Sequence, residues 1–236
     1  MLLRAYLPKL ITALFGGLFI AAGILTFNDA VLFDLLFIGV LVFTALICRK
    51  DINVLGVITI IFLLRALDEA VWFFINGNIE TKLLLYSFSL GISYYLRHDW
   101  AAKLLLIVTL IISTTEIYWF ASSYPPPEIY WNIALIIVTL IARNLIFSRV
   151  SITENWFNLR SKSINLDWTI FRLYGLSLIL QVAVVLEYLI RHLTNSPHVL
   201  VFYSVTPYIM QVISILAIWV TFQESYKLLL PRLLKA

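Results

Sequence analysis

Residues 52–76 read INVLGVITIIFLLRALDEAVWFFIN, an apolar run that carries Arg65, Asp68 and Glu69 within it. About 20 apolar residues cross the ~30 Å hydrocarbon core of a bilayer, so the run is long enough to span one. Spacing of three and four residues puts Arg65 on the same helical face as both acids, with Trp72 one turn beyond. A charge at that depth costs roughly 2.5–3.5 kcal/mol on insertion scales, so such charges are expected to have partners. This segment holds one more acid than base, and Glu116 adds another carboxyl in the outer half of a second apolar run. A carboxyl held between burial and a neighbouring guanidinium can bind a cation or relay a proton. Arg65, Asp68, Glu69 and Glu116 are therefore the candidate binding residues, with Tyr203, Ser204 and Gln211 as polar lining. The competing reading makes the same charges a satisfied network that locks helix register.

Other chemistry finds little footing. The chain has no GxSxG, HExxH, CxxC or glycine-rich phosphate loop, the arrangements that nucleophilic, zinc, redox and nucleotide chemistry need. His98, His192 and His198 stand near predicted span ends and read as interfacial residues. No catalytic residue, metal ligand or cofactor is assigned. Cys48 is the single cysteine, so no disulfide can form within the chain. The formal net charge is +4, but the bases are dispersed rather than gathered in a patch, which argues against nucleic acid.

The elements that must position these residues follow from composition. Hydrophobic residues make up 62% of the 236 and charged residues 13%, with a mean hydropathy of +0.96. Soluble domains run near 45–50% apolar and about 25% charged, so lipid is the expected solvent. The apolar runs are continuous rather than alternating, which selects helices over a barrel. The predicted fold is all-α: one polytopic transmembrane domain over 1–236, a bundle of about eight helices. The spans are placed at 10–27, 31–48, 52–75, 82–97, 102–121, 129–148, 168–191 and 199–222. The first resembles a signal peptide but reads as an uncleaved span.

With the N-terminus in the cytoplasm, thirteen of the seventeen Lys and Arg fall on that side, Arg143, Arg149, Arg160 and Lys162 among them. Only Lys82 and Arg191 face outward, while Arg65 and Arg172 lie within spans. The positive-inside rule then places both termini in the cytoplasm.

Four local expectations follow. Ala13, Gly17 and Ala21 form a small-residue ridge that packs within the bundle or against a second copy. Residues 149–167 form a loop, either irregular or holding a short surface helix with Ile152, Trp156 and Leu159 on one face. Glu187 and Arg191, four apart, pair on one helix. The C-terminal KLLLPRLLKA, broken by Pro231, grazes the inner surface. A parallel four-plus-four repeat is also suggested, equating Asp51 with Asp167 and Glu69 with Glu187.

The functional expectation is a small transporter or channel-like protein for a cation, proton or small polar solute, in a bacterial inner membrane. One alternative is a non-catalytic scaffold, sensor or subunit of a larger membrane complex. Another is a lipid-modifying enzyme. The expected partners are the lipid bilayer and a second copy or another membrane protein.

Overall fold

The computed structural model of the protein describes residues 2–27, 29–75, 77–124, 128–194 and 200–233, with side chains described from 13 to 227 apart from residue 30. Asn76, the prolines at 125–127, His198 and Lys235 lie outside the described residues, as do the side chains of Arg4, Lys9, Pro231 and Arg232. Among the described residues the regular elements are eight helices: α1 (Leu2–Leu25), α2 (Ala30–Ile47), α3 (Ile52–Phe74), α4 (Ile79–Tyr95), α5 (Trp100–Ala121), α6 (Tyr130–Phe157), α7 (Asn165–Thr194) and α8 (Val201–Leu233). Among the described residues four stretches are long and apolar enough to cross a membrane: Trp100–Ala121, Tyr130–Phe157, Asn165–Thr194 and Val201–Lys227.

Aspartates start three of these helices. The Asp29 carboxylate accepts from the Leu32 N–H at 3.0 Å, Asp51 accepts from Asn53 and Val54, and Asp99 accepts from Ala101. Each meets an amide that the helix itself leaves unbonded, typically worth about 1 kcal/mol.

Two compact units are present. The first comprises Met1–Ile60, Ile146–Leu173 and Tyr208–Ala236. In it α1 meets α8 through rings, Phe15 and Phe19 lying 5.0 and 5.1 Å from Phe222, and just past α1 Phe27 stacks on Tyr208 at 4.6 Å. Gly23 permits this approach, because a Cβ there would collide with Ile215. The Gly23 carbonyl also accepts a hydrogen bond from Gln211 Nε2 at 3.1 Å.

The polar centre of this unit is Arg149, only 2% exposed. Its Nε and Nη2 donate to the two Asp167 oxygens at 2.6 and 2.7 Å, a bidentate pair. Its other bonds hold the linker after α6: Nη1 reaches Ser161 Oγ at 3.0 Å and Nη2 the Lys162 carbonyl at 2.7 Å. Asn53 Oδ1 of α3 accepts from Ser161 Oγ and from the Lys162 N–H. Gly56 clears the space, since a Cβ there would stand 3.0 Å from Arg149 Cδ.

The second unit comprises Ile61–Leu145 and Tyr174–Pro207. Its core joins Leu105, Val108 and Ile112 of α5 to Ile133, Ile136 and Leu140 of α6 and Leu178, Val185 and Leu189 of α7. Helices α4 and α5 pack as a hairpin, linked by the buried Ser89–Thr109 hydroxyl bond at 2.6 Å. The hairpin turn is tied down by Asp99, which caps α5 and pairs with the Arg143 guanidinium. Arg143 is 3% exposed and also lies over the Trp100 ring, 5.0 Å from its centroid.

Several expectations are corrected. Residues 149–157 continue α6, which ends where Asn158 turns left-handed with φ 53°. The irregular piece is only 158–164, so Leu159 is off the helix that carries Ile152 and Trp156. Arg143 and Arg149 are buried and paired, because each finds an aspartate at the start of another helix. The Ala13, Gly17 and Ala21 ridge is exposed, with nothing against Gly17 among the described residues; Gly16 and Gly23 face α8 instead. Helix α8 runs through Pro231 to Leu233.

Asp167→Ala would leave the Arg149 charge buried without its carboxylate, and breaking a buried pair costs about 3–5 kcal/mol. Detergent-solubilised protein should lose that much unfolding free energy. Gly56→Leu should be similarly damaging, because Arg149 is held at four positions and cannot yield.

Candidate functional site

The charged segment of α3 lies in the second unit. Arg65 and Asp68 are half-buried and Glu69 is exposed. Asp68 is within electrostatic range of both Arg65 and Glu69, as the three- and one-residue spacings on a helix require. One turn on, Trp72 stacks on Trp131 of α6 with ring centroids 4.7 Å apart, which fixes the end of this segment.

Tyr174 of α7 joins Arg65 and Asp68. It lies within electrostatic range of both, is 9% exposed, and its hydroxyl has no hydrogen-bond partner among the described residues. A buried hydroxyl left unbonded costs about 1–3 kcal/mol, so it marks a place for a water or ligand. Ser177 and Gln181 continue the same face of α7 at helical spacing. The Gln181 amide nitrogen reaches Thr139 Oγ1 at 3.5 Å, while its buried oxygen has no partner among the described residues. The polar spacing of 174, 177 and 181 is visible in the sequence. That it turns inward, and toward α3, is not.

Glu116 is engaged elsewhere in the same unit. Its carboxylate accepts from Lys82 Nζ at 3.1 Å and from the Tyr86 hydroxyl at 2.7 Å, joining α5 to α4. The Lys82 ammonium also lies over the Tyr130 ring at 5.3 Å. This carboxylate is thus matched in charge and in hydrogen bonds.

Tyr203 and Ser204 form the first turn of α8 and are exposed. Ser204 Oγ bonds back to the Val201 carbonyl, and the Tyr203 N–H donates to Glu187 at 2.9 Å. Glu187 receives the Phe202 N–H as well, at 3.0 Å. It is therefore an N-terminal cap supplied to α8 from α7, which corrects the expected pairing with Arg191. Gln211 belongs to the other unit, where it bonds Gly23.

His192 accepts or donates a bond at 3.0 Å with the Tyr124 hydroxyl, and its ring is flanked by Trp119 and Tyr188. Among the described residues no group of three or more His, Cys, Asp or Glu is placed to hold a metal ion.

Tyr86→Phe should cost about 1.5–3 kcal/mol of stability, the worth of a hydrogen bond to a charged group. Glu187→Ala should cost about 0.5–2 kcal/mol as a lost cap. Tyr174→Phe removes an unmet polar group and should leave stability unchanged or raise it; these three unfolding curves separate satisfied groups from the unsatisfied one.

Comparison with family models, curated proteins and solved structures found no match to this chain.

Proposed function

We propose that this is a multi-pass integral membrane protein that passes a proton, a cation or a small polar solute by way of Arg65, Asp68 and Tyr174. The single observation behind this is the buried, unbonded Tyr174 hydroxyl within electrostatic range of the Arg65 and Asp68 charges. An arginine and an aspartate alone would balance. Glu69 adds a negative charge that a proton or cation offsets. The four long apolar stretches support the membrane setting, as do large apolar side chains such as Leu84, Ile107 and Phe120 that point outward.

The reading extends to eight spans with both termini in the cytoplasm of a bacterial inner membrane. The basic bias toward one side supports it, and it survives the removal of Arg143 and Arg149 from the loops, since eleven bases then stand against two. A second reading, a subunit of a larger membrane complex, is favoured by the exposed Glu69 beside outward-facing Phe73 and Phe74 on the same helix. A partner could cover both.

Purified full-length protein in liposomes, with pH- and cation-sensitive dyes, distinguishes the two. Asp68→Asn should lower flux by about tenfold or more, equivalent to ~1.4 kcal/mol on the limiting step. Tyr174→Phe should lower it less, and Glu116→Gln should reduce stability while sparing flux. No flux from the wild type, together with a stoichiometric partner on purification, would replace transport by the subunit reading.

A further inference from the structure

The start of α7 carries a groove in two parts, divided by Trp168. On one side is a slot of about 220 Å³ walled by Phe147, Val150, Trp168 and Phe171, with Ser163 and Asp167 at its polar end. At roughly 30 Å³ per water-sized group, the slot has room for about seven such groups. On the other side is a more open depression of about 530 Å³, lined by Asn165, Trp168, Thr169 and Arg172. Residues 165, 168, 169 and 172 share one helical face. Trp168 is 54% exposed, and the Asn165 and Arg172 side chains are exposed with it.

The groove is lined by Asp167 and Arg172, and the exposed Glu154 carboxylate borders it, accepting from the Ser161 N–H of the linker at 3.5 Å. Asp167 reaches the slot, but both its oxygens are bonded to Arg149, so its charge is already neutralised. Arg172 lines the open side, and Arg160 and Lys162 are exposed on the linker just before α7. The groove lies where a stretch fit to cross a membrane, Asn165–Thr194, begins, against the last third of another, Tyr130–Phe157. Tryptophan and arginine at such an end suit the headgroup level of a bilayer. An occupant must be apolar where it meets Phe147 and Phe171 and anionic where it meets Arg172.

We propose that this groove holds an anionic phospholipid, its phosphate on Arg172 and an acyl chain in the slot against Phe147 and Phe171. Trp168 then lies between head and chain. The neutralised Asp167 allows an anion to approach, and the exposed linker bases Arg160 and Lys162 together outweigh the exposed Glu154. The site requires that α6 and α7 are embedded in a membrane, and it is independent of whether Asp68 passes ions.

Tryptophan fluorescence of the full-length protein in detergent micelles, titrated with brominated phosphatidylglycerol or brominated phosphatidylcholine, tests the site. The anionic lipid should quench at a midpoint about fivefold lower than the zwitterionic one, the ratio expected for one added cation contact. Trp168→Phe should remove the early-quenched component, and Arg172→Gln should bring the two midpoints together. In wild-type protein, 1 M salt should also erase the preference, because the Debye length there is about 3 Å. Equal midpoints in wild-type protein at low salt overturn the site, as does a preference that persists in Trp168→Phe or at 1 M salt. No quenching by either lipid overturns the membrane setting as well. The Asp68→Asn variant should keep the lipid preference, so a failure of transport and a failure of lipid binding are read apart.

Discussion

A guanidinium removed from water has to be given a carboxylate, and two arginines of α6 impose that demand on the chain around them. Arg149 is met by Asp167 in the first turn of α7, and Arg143 by Asp99 at the N-cap of α5. In both cases the acid sits where a helix begins. The aspartate therefore meets backbone amides as well as the arginine: Ala101 for Asp99 and Ile164 for Asp167. Such a pair is a weak source of net stability but a strong source of specificity, since the cost of a mismatch far exceeds the gain from a match. The linker 158–164 has no regular structure of its own and takes its path from the remaining Arg149 and Asn53 bonds.

The same accounting narrows the acids available for function. Asp29, Asp51 and Asp99 cap helices within their own chain segments, and Glu187 caps α8 from a neighbouring helix. Asp167 belongs to Arg149, Glu116 to Lys82 and Tyr86, and Glu224 to Lys227. Most of the acids the structure describes in contact with a partner thus meet local obligations. Asp68 stands apart, because it lies within electrostatic range of Arg65, of Glu69 and of the buried Tyr174 hydroxyl, which has no hydrogen-bond partner among the described residues.

The helices themselves were legible in the sequence. Long unbroken apolar runs have few alternatives to helix in an apolar solvent, where every backbone amide must be bonded within its own segment. Each predicted span coincides with one helix, although helix ends shift by several residues where polar sequence continues the same backbone. The extension of α6 to Phe157 is of this kind. The apolar run ends near residue 148, but hydrogen bonding along the helix continues until Asn158 adopts a left-handed turn.

Sequence alone determined the helical class, the apolar lengths and the cluster Arg65, Asp68 and Glu69, because all three depend on residue type and on spacing within one segment. Tertiary structure decided which charges are spent. Arg149 meets Asp167 across 18 positions, Tyr86 meets Glu116 across 30, and Arg143 meets Asp99 across 44. Tyr174 comes to α3 over a still longer separation. Pairings between helices depend on which faces turn inward, and a continuous apolar run carries almost no periodic signal of that facing.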